Sequence, residues 1–213
     1  AATTAAAPLK LVGGTLALNA ELTAKGGFAM AGGTVSGAGA LTVPGALAWS
    51  GGTIGGTGLL TTLGATTLTQ PYGGTLVLKR PWEMAGPVTW SSGHLQFDAA
   101  VHVQSGVAFE SPPSGTYYVA GSGTLAVDGV VRKSGTASSQ QLGVPVVLGT
   151  GGTLDIQKGS FNLSRPFANT GTLNVAGAAS LQVSGLSFTN AATGVITGAG
   201  TLITPASGLT SSG

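Results

Sequence analysis

Apolar residues in this chain alternate with small or polar ones in short bursts. Leu16 and Leu18 flank Ala17, and the same spacing links Leu76 with Leu78, Leu95 with Phe97, Leu125 with Val127, Leu154 with Ile156, Leu173 with Val175 and Leu181 with Val183. Residues two apart share one face of a strand, so these pairs predict strands with an apolar inner side. The intervening and flanking positions, Thr75, His94, Gln96, Asp128, Asp155, Gln157, Asn174 and Gln182, supply a polar outer side. Gly, Pro, Ser or Asn interrupts the pattern every few residues, leaving no window for an amphipathic helix. The predicted class is all-β.

Each burst follows a glycine turn. Gly13-Gly14-Thr15-Leu16 returns as Gly32-Gly33-Thr34-Val35, Gly51-Gly52-Thr53-Ile54, Gly73-Gly74-Thr75-Leu76 and Gly151-Gly152-Thr153-Leu154, with looser copies such as Gly171-Thr172-Leu173. Taken at the second glycine, the steps from 14 to 33, 33 to 52, 74 to 93 and 152 to 171 are all equal. Those from 52 to 74 and 93 to 115 are slightly longer, and the step from 115 to 152 reads as two coils with Gly135 between them. A fixed period near 20 marks a solenoid: one such unit cannot bury its own apolar face, and stacking on a like neighbour does so. With parallel strands about 4.8 Å apart, about ten coils form a parallel β-helix on the order of 50 Å long. Gly14, Gly33, Gly52, Gly74, Gly152 and Gly171 are expected at tight corners. Thr15, Thr34, Thr53, Thr75, Thr153 and Thr172 are expected above one another as a ladder.

The period covers residues 9–205 as a single domain, leaving 1–8 as a tail or linker and 206–213 as a polar tail. Lys79-Arg80-Pro81-Trp82-Glu83 and Glu110-Ser111-Pro112-Pro113-Ser114 fall where the period lengthens and are expected to bulge as loops. A third irregular zone runs from Val130 to Val147. The opening Ala-Ala-Thr-Thr-Ala-Ala-Ala-Pro, without an initiator methionine, fits a mature end after leader removal and equally a fragment of a longer repeat protein.

Charge narrows the function classes. Eight Lys and Arg against six Asp and Glu give a net charge of +2 spread along the chain, which disfavours nucleic acid because phosphate binding needs clustered cations. Cysteine is absent, so disulfide frameworks and thiolate metal sites are unavailable. No stretch reaches the roughly 18 apolar residues of a membrane helix.

The coil sequences resemble the degenerate repeats of large secreted bacterial surface proteins. The likeness is carried by Ala48-Trp49-Ser50-Gly51-Gly52-Thr53-Ile54, Val88-Thr89-Trp90-Ser91-Ser92-Gly93, Val131-Arg132-Lys133-Ser134-Gly135-Thr136, Gly152-Thr153-Leu154-Asp155-Ile156-Gln157-Lys158-Gly159 and Phe167-Ala168-Asn169-Thr170-Gly171-Thr172-Leu173-Asn174-Val175. More broadly the chain is similar to the right-handed parallel β-helices of filamentous haemagglutinin-like adhesins and autotransporter passengers. That resemblance implies a right-handed coil and an extracellular or cell-surface location. It also implies a non-enzymatic role as stalk, adhesin segment or filament subunit, self-associating end to end or continuing into further repeats.

Other chemistries leave little trace. Glycoside cleavage generally needs two nearby carboxylates, and Asp98 and Glu110 are too close in sequence to be one coil apart. His94, Asp98 and His102 fall short of the three or four converging ligands of a metal site. The glycine turns lack the aspartates of calcium-binding rolls, and the positions after Gly-Thr-Leu are too varied for an ice-binding face. No catalytic residue, metal or cofactor is therefore assigned. A second reading is a surface glycan-binding module on loop aromatics: Arg80, Trp82, Glu83, Tyr117 and Tyr118 are its candidates. Trp49 and Trp90, at matching places before glycine turns, are expected as core fillers.

Overall fold

Strand follows strand without a helix among the described residues of the computed structural model, which are all but 1, 72, 112–114, 137–138, 186, 206 and 213. Most strands are only three to five residues long. Every third strand joins the same sheet, producing three parallel sheets of 11, 10 and 10 strands. The first sheet runs from Thr3–Ala5 to Leu209–Ser211, the second from Leu9–Leu11 to Val195–Thr197 and the third from Thr15–Ala17 to Thr201–Ile203. The chain is a three-sided β-solenoid of about ten turns.

Register turns the alternation into columns. On the inner side of the first sheet Leu22 lies against Leu41, Leu41 against Leu60, Leu60 against Trp82 and Trp82 against Val101, and farther along Val146, Phe167 and Phe188 continue the stack. The alternating apolar pairs from Leu76 and Leu78 onward are all buried. Trp49 and Trp90 fill the core as expected, and each indole N–H donates to a carbonyl of the turn that follows it, Gly51 and Gly93 respectively.

Two distinct reasons place glycine at the corners. Gly52 has a φ of 87°, a left-handed conformation that side chains avoid. Gly171 has no such φ, yet a Cβ there would lie 2.2 Å from the Gly152 carbonyl oxygen of the coil below. The threonine ladder forms in pieces. Thr15, Thr34 and Thr53 stack in the third sheet, whereas Thr153 and Thr172 stack in the second. The Gly-Thr turn thus marks a corner without marking one particular corner, and the step from 115 to 152 is not a whole number of coils.

Three boundary expectations change. Residues 3–5 and 209–211, read as tails, form strands paired to Leu22–Ala24 and Phe188–Asn190. The segment from Val130 to Val147 supplies strands to the sheets in turn, with Val130–Lys133 in the second and Ser139–Leu142 in the third, while residues 137–138 lie outside the described residues. The bulge at Lys79–Glu83 is not there. The extra residues sit earlier, at Gln70 to Gly74, where the preceding coil spans the same corner with only Ser50, Gly51 and Gly52. The next corner is shortened to Lys79, Arg80 and Pro81 before Trp82 enters a strand. In the other expected bulge Glu110 ends a strand paired with Arg132, and residues 112–114 lie outside the described residues.

Candidate functional site

The five candidate ligand-binding residues separate into three places. Arg80 and Trp82 point into the core, 0% and 1% exposed. The Arg80 guanidinium donates from Nε to the Gly55 carbonyl at 2.7 Å and from Nη2 to that of Gly37 at 3.0 Å. Burial lowers its pKa, because the charged form has left water. The Trp82 indole N–H donates to Thr62 Oγ1 at 3.1 Å, and its ring meets Trp49 and Phe97 edge-on at 6.5 and 6.4 Å. Neither side chain is available to a glycan. Glu83 points outward from the first sheet, while Tyr117 and Tyr118 belong to the third.

Register brings together polar groups that sequence reading left apart. On the first sheet His102 pairs with Glu83, and its ring lies between two carboxylates: Nδ1 is 2.7 Å from Glu83 Oε2, and Nε2 is 2.9 Å from Asp128 Oδ2. Gln104 Nε2 donates to the same Glu83 oxygen at 3.1 Å. Burial opposes charging of the ring, but the hydrogen bonds and charges of Asp128 and Glu83 outweigh it and raise the His102 pKa. When protonated, the ring is a charged cross-link over three coils. A raised folded pKa stabilises fully below the unfolded value of about 6.5 and is lost as pH climbs through the folded value. The three side chains are 31–49% exposed, so solvent screening holds the gain to about 1 kcal/mol or less. The thermal midpoint is expected to fall modestly from pH 6 to pH 9, as read by circular dichroism. His102→Gln should flatten that slope, and an unchanged slope in the variant would remove the cross-link from consideration.

The second sheet carries a longer ladder. Glu110, Arg132, Asp155 and Asn174 occupy successive coils in register. Arg132 donates from Nη1 to Glu110 at 2.8 Å and from Nε to Asp155 at 2.9 Å. Asn174 and Gln157 each donate to the Asp155 carboxylate at 2.8 Å. Burial pushes the Asp155 pKa up, and the hydrogen bonds from Arg132, Asn174 and Gln157 together bring it below the ordinary value. In both clusters the carboxylates are occupied in holding coils together. His94 and His102, considered together for metal, lie on different sheets, and no metal-ligand cluster occurs among the described residues.

The outer face of the third sheet differs. From Tyr118 to Gln182, consecutive register partners Tyr118, Gln141, Asn162 and Gln182 form one column. Tyr118 is 41% exposed and stacks on His94 at 3.9 Å between centroids, 16° from parallel. Burial lowers the His94 pKa, favouring the neutral ring. Tyr117 turns inward, tilted against Trp90 at 6.1 Å. Cross-coil bonds pin the face: Gln141 Nε2 donates to Ser164 Oγ, Ser184 Oγ to Asn162 Oδ1, both at 2.8 Å, and Ser180 Oγ to Ser160 Oγ at 3.0 Å. A shallow depression of about 460 Å³ borders the face where the third sheet turns into the first, lined by Asp98, Gly121, Ser122, Pro145, Arg165 and Pro166.

Compared with protein-family models, with curated proteins and with solved structures, the chain matches none.

Proposed function

We propose that this chain is a non-enzymatic structural rod of an extracellular or cell-surface assembly, extended by stacking further coils on its ends. The observation that carries this reading is the state of the last coil. Its strands Val195–Thr197, Thr201–Ile203 and Leu209–Ser211 each pair on one side only. Of their inward residues, Ile196, in register with Leu173, is 36% exposed, and Leu209, in register with Phe188, is 38% exposed. At the opposite end the strands holding Leu9, Leu11 and Leu16 likewise pair on one side, with those leucines half-buried. Unpaired parallel edges with apolar side chains template further strands unless something covers them. Extracellular placement rests on the resemblance to surface repeats.

The ladders suit a load-bearing role. Backbone bonds between all neighbouring coils lie along the rod, and the Glu83–His102–Asp128 and Glu110–Arg132–Asp155 clusters tie three coils apiece. Negative-stain electron microscopy over a concentration series tests the reading. Uniform fibres that lengthen with concentration are expected, and Ile196→Lys with Leu209→Lys should shorten them by charging the inner side of the edge. Rods that keep the length of a single stack at every concentration would rule out stacking between copies and restrict the extension to coils of one longer chain.

A further inference from the structure

We propose that the outer face of the third sheet, from Tyr118 to Gln182, binds an extended, uncharged β-1,4-linked polysaccharide lying along the rod axis. This is a binding function in addition to the structural one, and it does not depend on end stacking.

Charge selects the partner first. The outward positions of Thr116–Ala120, Ser139–Leu142, Gly159–Leu163 and Ala179–Val183 hold only Thr, Tyr, Ala, Ser, Gln and Asn. The corresponding faces of the other two sheets carry the ionised clusters of His102 and Arg132. A charged ligand laid on the third face would lose hydration without gaining a counter-charge. The partner is therefore neutral.

Hydrogen-bond chemistry selects it further. Gln141 uses its amide nitrogen on Ser164, which keeps its carbonyl oxygen as an outward acceptor. Asn162 uses its oxygen to accept from Ser184, which keeps its amide nitrogen as an outward donor. Successive coils thus offer an acceptor and then a donor. A ligand satisfying both must donate and accept along its length, as hydroxyl groups do. At the head of the column the Tyr118 ring stacks on the His94 ring of the preceding coil, which turns its edge and hydroxyl outward and adds a group that both donates and accepts.

Spacing completes the match. Coils repeat at about 4.8 Å, close to the length of one hexopyranose in an extended β-1,4 chain, so each sugar meets one coil. Because the side chains are already pinned by cross-coil bonds, little rotamer entropy is lost on binding.

The test uses the full chain with microcrystalline cellulose in a pull-down and with cellohexaose in isothermal titration calorimetry, each at low and high salt. Expected are retention and measurable heat, both insensitive to salt. Tyr118→Ala and Asn162→Ala should each weaken binding by about tenfold or more, with the circular dichroism spectrum of the parent preserved. Absence of retention on cellulose together with absence of heat would overturn the proposal. So would binding that both variants leave intact, retention abolished by salt as for a polyanion site, or face-to-face dimers that Tyr118→Ala disperses.

Discussion

Replacing Trp82 with alanine is expected to destabilise the protein by about 3–5 kcal/mol, the range for emptying an aromatic site in a close-packed core. Trp82 is among the largest fully buried side chains, wedged between Trp49 and Phe97, and its loss also leaves Thr62 Oγ1 without its donor. The damage is also placed where it divides the rod. Stability in a solenoid is a sum of nearest-neighbour interfaces. Weakening the pairing of Trp82 with Leu60 and with Val101 separates the coils before it from those after it. Urea unfolding of the variant should start at lower concentration and resolve into two transitions where the parent shows one. Trp82→Phe, which keeps a ring but not the N–H, should cost less. A variant as stable as its parent would mean that Trp82 is not a core residue.

Arg80→Ala is the second large effect, with an expected loss of about 3 kcal/mol. The guanidinium passes inward through a corner that neighbouring coils build from glycine. A Cβ at Gly56 would lie 2.7 Å from Arg80 Nη2 and 2.1 Å from the Gly37 carbonyl oxygen. Truncation removes donors from the Gly37 and Gly55 carbonyls and leaves a void lined by polar backbone. Arg80→Met should cost less than Arg80→Ala, because it refills the volume and removes a buried charge whose Nη1 makes no hydrogen bond. Thermal unfolding of the two variants side by side separates these contributions. Equal stability of both variants and the parent would show that the buried guanidinium ties nothing together.

The same corner shows where sequence reading stopped. Alternation and period specify strands, parallel stacking and the inner columns, because both depend on spacing that survives degenerate residues. Lys79-Arg80-Pro81-Trp82-Glu83 looks like a loop because two cations, a proline and an acid sit together. Physically the proline is in a short corner whose carbonyl accepts the Leu60 N–H, and the arginine charge is met by corner carbonyls. Aligning the coils with the extra residues at Gln70 to Gly74 places Arg80 over Gly55, Gly56 and Gly37, which is the signal that could have found it. The polar ladders were equally within reach. Glu83 and His102 are 19 residues apart, as are Asp155 and Asn174, the separation that defines the glycine period. The shorter spacing between Asp98 and Glu110 was uninformative because it matches no turn of the coil. Tyr118 is an exposed aromatic of the strand Thr116–Ala120 and not of a loop, and its partner His94 emerges only when a longer coil is allowed, as in the pairing of Gln96 with Ala120. Asn169 and Asn190, buried and bonded to one another at 2.7 Å, gave no signal because isolated asparagines read as turn residues.

Pairing each strand only with the ones a single turn away also governs how the chain acquires its shape. The longest separation to be closed at any step is one turn, such as that from Leu22 to Leu41 or from Val101 to Leu125. The entropy of closing a loop depends on that length alone, so adding turns lengthens the molecule without raising the barrier to the next one. A finished turn offers the following segment a complete row of backbone donors and acceptors. Folding can therefore advance like a zip from whichever end is released first, keeping pace with a chain delivered residue by residue.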